Sequence, residues 1–268
     1  MFVPSSVVST EPSDDEKVRE LSRLARALAV FRVDEAVVVS IGGYEDDARL
    51  VDLILNYVVT PPYLRRVIYP LKPELRFAGL TKPLAIYTHN PTNEPPRRGQ
   101  LREGIVTRSW DMRAKAYVGL RNECVVQSFR ELSPGWRILV RIESINPLRC
   151  VEVSRDDVEE YTGYIVSVVD QEHVRRVLRG CFTVNATKRG ASVTDRRIAE
   201  KVVSGWRGAG CINVLFGDPR HDFDELVAFK PGLNVNFIPE QGTLTVRSVE
   251  AVWATLSILN YLYEVRGE

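Results

Sequence analysis

The apolar pattern of the chain changes character twice, and this change limits the folds that the chain can adopt. Up to about residue 83, apolar residues recur at helical spacing around a β-branched run, Ala36-Val37-Val38-Val39, that is typical of a buried strand. From Pro83 to about Asp157 the apolar segments are short, alternating and separated by turns. Helical and strand patterns then alternate again to the end of the chain. The sequence therefore predicts a β-rich block inserted into an α/β chain.

The inserted block carries about five short strand patterns, which favour a small barrel of the oligonucleotide-binding type. We expect residues 1–83 and 158–268 to form one α/β domain and residues 84–157 to form the barrel.

Composition narrows the class of protein further. The chain has 268 residues, of which 44% are hydrophobic and 26% charged, as in a globular protein with a real core. We expect disorder only in the first dozen residues, which are rich in serine and proline. No apolar run is long enough for a membrane span, and the N-terminus lacks the pattern of a secretion signal.

The four cysteines and three histidines are scattered along the chain without paired spacing. This spacing favours buried reduced thiols over a disulfide framework, and it argues against a zinc site or any metal enzyme. We therefore expect a cytoplasmic protein that binds no metal.

The net charge of +1 is uninformative, but its distribution is uneven. Between Arg97 and Arg121 there are seven basic residues and two acidic ones. Such a segment can bind a phosphate backbone, and an equal alternative is a solvated strand face. The RNA-binding candidates of this segment are Arg97, Arg98 and Arg102. Arg65 and Arg66, on a short helix, are further RNA-binding candidates, and a solvated helix face is the equal alternative for them.

Three unusual loops follow three predicted strands in the last third of the chain, at residues 185–190, 217–220 and 239–243. Ligands of parallel sheets bind beyond the carboxyl ends of the strands, where glycine and proline turns expose backbone N–H and C=O groups. Each loop alone is more typical of an ordinary connection, whereas three together indicate a ligand site. No strand is followed by a glycine-lysine phosphate loop, which argues against another kind of nucleotide-binding protein.

These loops carry a resemblance to a known family. Residues 236–251 (NFIPEQGTLTVRSVEA) resemble the last motif of the SPOUT superfamily, the α/β-knot RNA methyltransferases, and Val214-Leu215-Phe216-Gly217-Asp218 resembles its middle motif. Residues 24–31 followed by Val33-Asp34-Glu35 resemble the first motif. Segments 62–66, 75–80, 102–104, 161–164 and 187–190 are similar to the branch of the superfamily that carries an inserted barrel.

The resemblance implies a knotted α/β methyltransferase domain built from both chain ends, with an inserted barrel. It implies an S-adenosylmethionine-dependent RNA methyltransferase that acts as a homodimer on ribosomal RNA, with uridine N3 of large-subunit RNA as the proposed target. The residues implied in cofactor binding are Thr187, Leu215, Phe216, Gly217, Asp218, Ile238, Pro239, Gln241, Gly242 and Thr243. The sequence departs from the pattern after Asp218, where a glycine-containing stretch is replaced by residues 220–225 (RHDFDE).

Two arginines are candidate catalytic residues. Arg26 matches the superfamily's helical arginine, the alternative being a solvent-facing arginine beside Arg23. Arg189 can clamp a phosphate or the target base, or be a loop arginine without a fixed contact. Asp218 can bind a ribose hydroxyl of the cofactor or act as a base, but capping of its turn beside Pro219 is the stronger interpretation.

The barrel aromatics Trp110, Tyr117 and Trp136 can stack on bases, although such residues more often fill a barrel core. A second hypothesis is therefore a non-catalytic RNA-binding factor that uses the barrel and keeps a vestigial pocket. Binding of S-adenosylmethionine separates the two hypotheses.

Overall fold

The computed structural model describes residues 1–70, 72–90, 94–178 and 180–265. It divides into two compact units, here called the sheet unit (Met1–Asn56, Glu74–Lys82 and Tyr164–Glu268) and the barrel unit (Tyr57–Pro73 and Pro83–Gly163). The predicted mixture of an α/β part and a β-rich insertion is confirmed. Residues 57–73 and 158–163, which we expected in the α/β domain, lie in the barrel unit.

The sheet unit is built on six parallel strands in the order β11-β9-β10-β1-β2-β8. Their bounds are β1 Phe2–Pro4, β2 Glu35–Ser40, β8 Ile165–Asp170, β9 Phe182–Ser192, β10 Ile212–Phe216 and β11 Leu233–Asn236. The run Ala36-Val37-Val38-Val39 lies in β2 and is buried, as its β-branched composition predicts.

The N-terminal segment differs from our expectation of disorder. Strand β1 lies inside the sheet, where Phe2 is in register with Leu215 of β10 and with Val37 of β2. Ser5 and Ser6, which follow the strand, are fully buried. The prediction was wrong because a three-residue strand is too short to show any periodicity, so only its serine and proline content was visible.

Helices cover the sheet and connect its strands. The helices of the sheet unit are α1 Asp14–Val30, α2 Glu45–Val59, α4 Val174–Val177, α5 Arg196–Ala209, α6 Phe223–Val227 and α7 Ser248–Val265. The last three residues of α2 already belong to the barrel unit. Phe223 of α6 and Val174 of α4 pack with Phe2 and Leu215 in one core cluster. Helix α7 packs against α1, where Trp253 Nε1 donates to the Arg23 carbonyl at 3.3 Å.

The barrel unit contains five strands that close in the order β3-β4-β5-β7-β6. Their bounds are β3 Leu101–Trp110, β4 Arg113–Tyr117, β5 Cys124–Gln127, β6 Arg137–Ile145 and β7 Leu148–Glu152. All neighbours are antiparallel except β5 and β7, which are parallel. One further helix, α3 (Pro62–Ile68), belongs to this unit, and its Tyr63 hydroxyl donates to the Glu103 carbonyl at 3.0 Å.

The cysteines are paired, contrary to our expectation of reduced thiols. Cys124 and Cys150 form a disulfide in the barrel core, with their Cα atoms 6.1 Å apart, and Cys181 and Cys211 form another, with Cα atoms 5.0 Å apart. Partners 26 and 30 residues apart leave no signature in the sequence. They meet because β5 pairs with β7, and β9 with β10, in parallel register. The cytoplasmic prediction rested on free thiols and loses that support.

The described residues show neither a membrane span nor a cluster of metal-binding side chains. Within the described residues, no helix is long and apolar enough to cross a membrane. The same part of the chain contains no group of three or more histidine, cysteine or acidic side chains with metal-binding geometry.

Candidate functional site

A cavity of about 290 Å³ lies beside the middle of β9 and at the carboxyl ends of β10 and β11, three neighbouring strands. This volume is near the lower end of the range of small-molecule sites, roughly 300–1,000 Å³. The lining comes from residues 186–189, 216–222, 225, 236–238, 241, 245–246, 248, 251 and 255. The three segments that the sequence singled out therefore meet around one space. Residues 185–190, which we expected to form a loop, lie inside β9.

Strand β9 shapes one wall by leaving its neighbour. Asn185 pairs with Asn234 of β11, and the next pair joins Ala191 to Val235, so residues 186–190 have no partner on β11. A side chain at Gly190 would meet the backbone of Val235, which explains a glycine at this approach. The unpaired stretch carries Thr187, Lys188 and Arg189 to the cavity.

The turn after β10 forms the second wall around Gly217. A Cβ atom at this position would overlap the His221 carbonyl oxygen and come within 2.9 Å of Asp222 Cα. The turn is closed by a hydrogen bond from the Asp218 backbone N–H to the His221 carbonyl at 3.0 Å. Only glycine permits this close return of the chain, so the shape of the wall depends on Gly217.

The Asp218 carboxylate organises the same turn from inside. Its Oδ1 atom accepts the backbone N–H groups of Arg220 and His221 at 2.8 and 2.7 Å, and its Oδ2 accepts the buried Ser6 hydroxyl at 2.7 Å. Burial alone would raise the pKa of Asp218, but these hydrogen bonds outweigh it and lower the pKa below its usual value. The capping role that we weighed for Asp218 is thus present, and the carboxylate is ionised at neutral pH.

His221 stands beside this carboxylate at the cavity. Its Nδ1 atom lies 3.2 Å from Asp218 Oδ1, and its side chain is half exposed. An ionised carboxylate can only accept hydrogen bonds, so Nδ1 must donate. In the neutral ring, Nε2 is then the nitrogen that can accept a proton.

Arg189 is held by acidic residues. Its guanidinium pairs with Asp222, with Glu225 at 2.9 Å and with Asp224 at 3.8 Å. Hydrogen bonds to Glu225 and Asp222 raise the pKa of the Arg189 guanidinium above its usual value. Asp222 also accepts the Thr187 hydroxyl at 2.8 Å and caps α6 together with Glu225. The description of Arg189 as an arginine without fixed contacts is wrong, and a substrate would have to compete with these carboxylates.

The third wall is the segment after β11 and the start of α7. Ile238 donates its backbone N–H to Asn236 Oδ1 at 2.9 Å, and the Ser248 hydroxyl donates to the Gly217 carbonyl at 3.4 Å. Of the implied cofactor residues, Thr187, Phe216, Gly217, Asp218, Ile238 and Gln241 line the cavity. Leu215, Pro239, Gly242 and Thr243 lie outside the lining, and Leu215 is fully buried in the sheet.

The other catalytic candidate, Arg26, lies on α1 and is half-buried. It does not line the cavity, although it belongs to the same unit. The chain itself therefore does not bring the two candidate arginines to one space.

The RNA-binding candidates of the barrel unit divide into two groups. Arg102 is fully buried: its Nε donates to Gln100 Oε1 and its Nη1 to the Val118 carbonyl, both at 3.2 Å. Burial lowers the pKa of its guanidinium. The prediction of a surface contact at Arg102 was wrong, because Tyr63 of α3 covers the start of β3.

The remaining basic candidates lie nearer the surface. Arg97, Arg98 and Arg66 are exposed. Arg65 donates to the Thr60 and Val58 carbonyls at 3.0 Å and stacks on Tyr57, so it closes the end of α2. Arg65 therefore caps the end of α2. Arg66, Arg97 and Arg98 lie on the surface, as an RNA contact requires.

Sequence reasoning missed three residues of the site. Ser6 lies in the segment that we expected to be disordered, while His221 and Asp222 lie in the stretch that departs from the superfamily pattern. The one available signal was the spacing of Asp222 and Glu225, which is typical of a helix N-cap.

Comparison with known proteins identifies the family of the chain. Residues 1–259 match the family described as "Putative RNA methyltransferase". The chain belongs to this family. It is 28% identical to an uncharacterized protein of Haloarcula marismortui, over 97% of both chains. It is also 27% identical to the human 28S rRNA (uridine-N(3))-methyltransferase, over 96% of this chain and 76% of the human protein. The mouse protein of the same name is 26% identical over 96% of this chain and 74% of its own length. The family description and the names of the human and mouse relatives agree on RNA methylation.

Proposed function

We propose that this chain is an S-adenosylmethionine-dependent methyltransferase that modifies uridine N3 in large-subunit ribosomal RNA. The observation that carries the proposal is that residues 186–189 of β9 and the turns after β10 and β11 meet around one cavity. The names of the human and mouse relatives support the choice of RNA and of uridine N3.

The residues of the cavity fit the cofactor. Phe216, Ile238 and Ala251 offer apolar surface, and the glycine turn at 217 lets backbone groups approach a ligand without a side chain between them. The lining carries three acidic side chains (Asp218, Asp222 and Glu225) and three basic ones (Lys188, Arg189 and Arg220). This mixture of charges suits S-adenosylmethionine, which has two cationic groups and a carboxylate. When bound, S-adenosylmethionine supplies an electrophilic methyl group, and these residues would hold it.

The same wall offers a group for the proton of the target base. Uridine N3 carries a proton that must leave when the nitrogen becomes methylated. We assign the receiving position to Nε2 of His221, because Asp218 occupies Nδ1 and Ser6 fixes Asp218. Arg189, paired with Asp222 and Glu225, forms the rim beside this position and stabilises the turn that carries it.

The fold-level part of the proposal is a SPOUT α/β knot with an inserted OB-type barrel, assembled as a homodimer. The closed order β3-β4-β5-β7-β6, with one parallel pair, supports the OB-type assignment. The knot and the dimer rest on the resemblance of the three motifs.

The barrel offers a track for the RNA backbone. Arg108, Lys115 and Arg149 lie in one cross-strand row with Val125 on the outer face of β3, β4, β5 and β7, and all four are exposed. Among the described residues, none of these three cations takes part in an ion pair, so their charges are available to phosphates.

Two measurements test the proposal. Isothermal titration calorimetry of the pure protein should show saturable binding of S-adenosylmethionine. Mapping of methylated positions in total RNA from cells with and without the gene should show the loss of one N3-methyluridine. A folded protein that binds RNA but not S-adenosylmethionine would instead be a non-catalytic RNA-binding factor.

A further inference from the structure

We infer that Phe129, Arg130 and Trp136 form a binding site for unpaired nucleobases of RNA. The site lies on the connection between β5 and β6 of the barrel unit. This inference rests on the proposed function for its choice of RNA, and it adds a place on the barrel where bases, rather than phosphates, are held.

The first observation is the exposure of two large rings on one short connection. Phe129 is 60% exposed and Trp136 is 45% exposed. A single exposed aromatic residue is common on protein surfaces. Here, however, both rings lie within 6 Å of one guanidinium group: the Cζ atom of Arg130 is 5.7 Å from the Phe129 centroid and 5.5 Å from the Trp136 centroid. The three side chains thus form one continuous π-rich surface.

The second observation is that the guanidinium is fixed. Arg130 donates from Nε and Nη2 to Glu152 Oε1, at 3.0 and 2.8 Å. Glu152 is almost completely buried, and its second oxygen accepts the Ser128 hydroxyl at 2.5 Å. A side chain held in this way loses little conformational entropy when a ligand stacks on it. Neither bond uses Nη1, which leaves that amino group for a base oxygen or a phosphate.

The third observation is that the connection itself is held to the barrel. Val106 of β3 donates to the Trp136 carbonyl at 2.9 Å and accepts from the Gly135 N–H at 2.8 Å. At the other end, Ser128 donates its N–H to the Met112 carbonyl at 2.9 Å, and Leu132 between them is buried in the barrel core. The rings are therefore exposed on an ordered segment, not on a loose one.

Charge favours RNA as the occupant. Arg113 is exposed and lies opposite Gln127, the last residue of β5 before this connection. The basic row of Arg108, Lys115 and Arg149 lies on the outer face of β3, β4, β5 and β7 in the same barrel. A polyanion with free bases satisfies both features, because its phosphates meet the cations and its bases stack on rings and guanidinium planes. An apolar protein partner would leave these cations without a counter-charge.

The test is a binding titration of the full chain with a fluorescein-labelled oligouridylate of about twelve nucleotides, followed by fluorescence anisotropy at several salt concentrations. The double variant Phe129→Ala/Trp136→Ala should bind at least about tenfold more weakly, because two stacking surfaces are lost. Its salt dependence should stay unchanged, since no cation is removed. The conservative variant Phe129→Tyr/Trp136→Phe keeps two rings and should bind within about threefold of the unchanged protein.

The matched control is Tyr87→Ala, which removes an aromatic side chain that is 66% exposed in the same unit. It should leave affinity unchanged. Equal affinity of the double-alanine variant and the control would overturn the inference and favour a protein partner for the patch. A loss accompanied by a flatter salt slope would also overturn it, because the effect would then be one of charge. Calorimetry with S-adenosylmethionine is run in parallel. A protein that loses oligouridylate binding as expected but never binds the cofactor would retain this site and refute the proposed enzyme.

Discussion

The cavity loops and the basic segment of the barrel were both predicted to be functional. The structure places residues of the predicted loops around one cavity, whereas it buries part of the basic segment. Gly217 and Ile238, which follow two different strands, line one cavity. Arg102, by contrast, has no exposed surface, although Arg97 and Arg98 nearby are exposed. A glycine after a strand predicts a local backbone turn. A charged residue on a strand does not predict which face of that strand the rest of the fold will cover.

Burial at the start of β3 has a specific cause. The first four residues of the strand are all buried, instead of alternating. Tyr63 of α3 bonds to the Glu103 backbone with its hydroxyl, and its ring lies next to Arg102 and Gly119. Arg137 then pairs with the buried Glu103 at 2.5 Å. The basic segment is thus partly a buried polar layer beneath α3.

The largest effect that would sharpen this comparison is expected at Arg102. Arg102→Ala should lower the free energy of unfolding by about 3 kcal/mol, because it leaves a cavity and removes bonds to Gln100 and the Val118 carbonyl. Urea unfolding followed by circular dichroism measures this change. Arg98→Ala, a matched surface change in the same segment, should alter stability by less than about 0.5 kcal/mol. If Arg102→Ala weakened RNA binding while stability stayed the same, Arg102 would be an RNA contact after all.

The next effect contrasts two glycines of the cavity loops. Gly217→Ala should weaken S-adenosylmethionine binding by about a hundredfold, because the new Cβ collides with the returning chain at His221 and Asp222. Gly242→Ala should change affinity by less than about threefold, since no atom lies within 4 Å of a Cβ built there. Calorimetry on both variants, with thermal unfolding as a check of folding, measures the difference. If both variants lost the same affinity, the loop at residues 239–243 would contribute to cofactor binding as the superfamily motif implies.

The fold could be predicted wherever it depended on periodicity or on turn chemistry. Strand β2, the helices around it and the β-rich insertion all follow from repeating apolar residues. Strand β1 and the two disulfides could not be found in this way, because each depends on a partner far along the chain. Phe2 is in place because β10 and β2 flank it, and Cys124 meets Cys150 because β5 and β7 pair.

The candidate site shows the same division. The positions of Gly217 and Ile238 follow from strand ends and turns. The ring of polar contacts around them does not, because Ser6 reaches Asp218 across 212 residues and Arg189 reaches Asp222 across 33. Sequence reasoning therefore located the pocket but not the hydrogen bonds that set its electrostatics.

The smallest effect concerns pH, and it separates the two regions once more. In the barrel unit, burial lowers the pKa of His89 to about 4, and nearby Arg65 and Arg137 act in the same direction. His89 Nε2 donates to the Val59 carbonyl at 2.9 Å. Between pH 6.5 and 4 the unfolded chain therefore binds a proton that the folded chain rejects, so stability falls as pH falls through this window. In the sheet unit, the lowered pKa of Asp218 keeps that carboxylate ionised, and its contribution is lost only at more acidic pH.

Urea unfolding at pH 7 and pH 5 should thus show a loss of roughly 1–2 kcal/mol from His89, less than the full shift implies because the ring is partly solvated. His89→Gln, whose amide can still donate to the Val59 carbonyl, should remove most of this pH dependence. His173→Gln is the matched control, because His173 is half exposed in the sheet unit beside Asp170. If His89→Gln kept the full loss at pH 5, buried histidine would not be the reason for it. The acid response would then have to come from carboxylates such as Asp218, and the contrast between the two regions would fail.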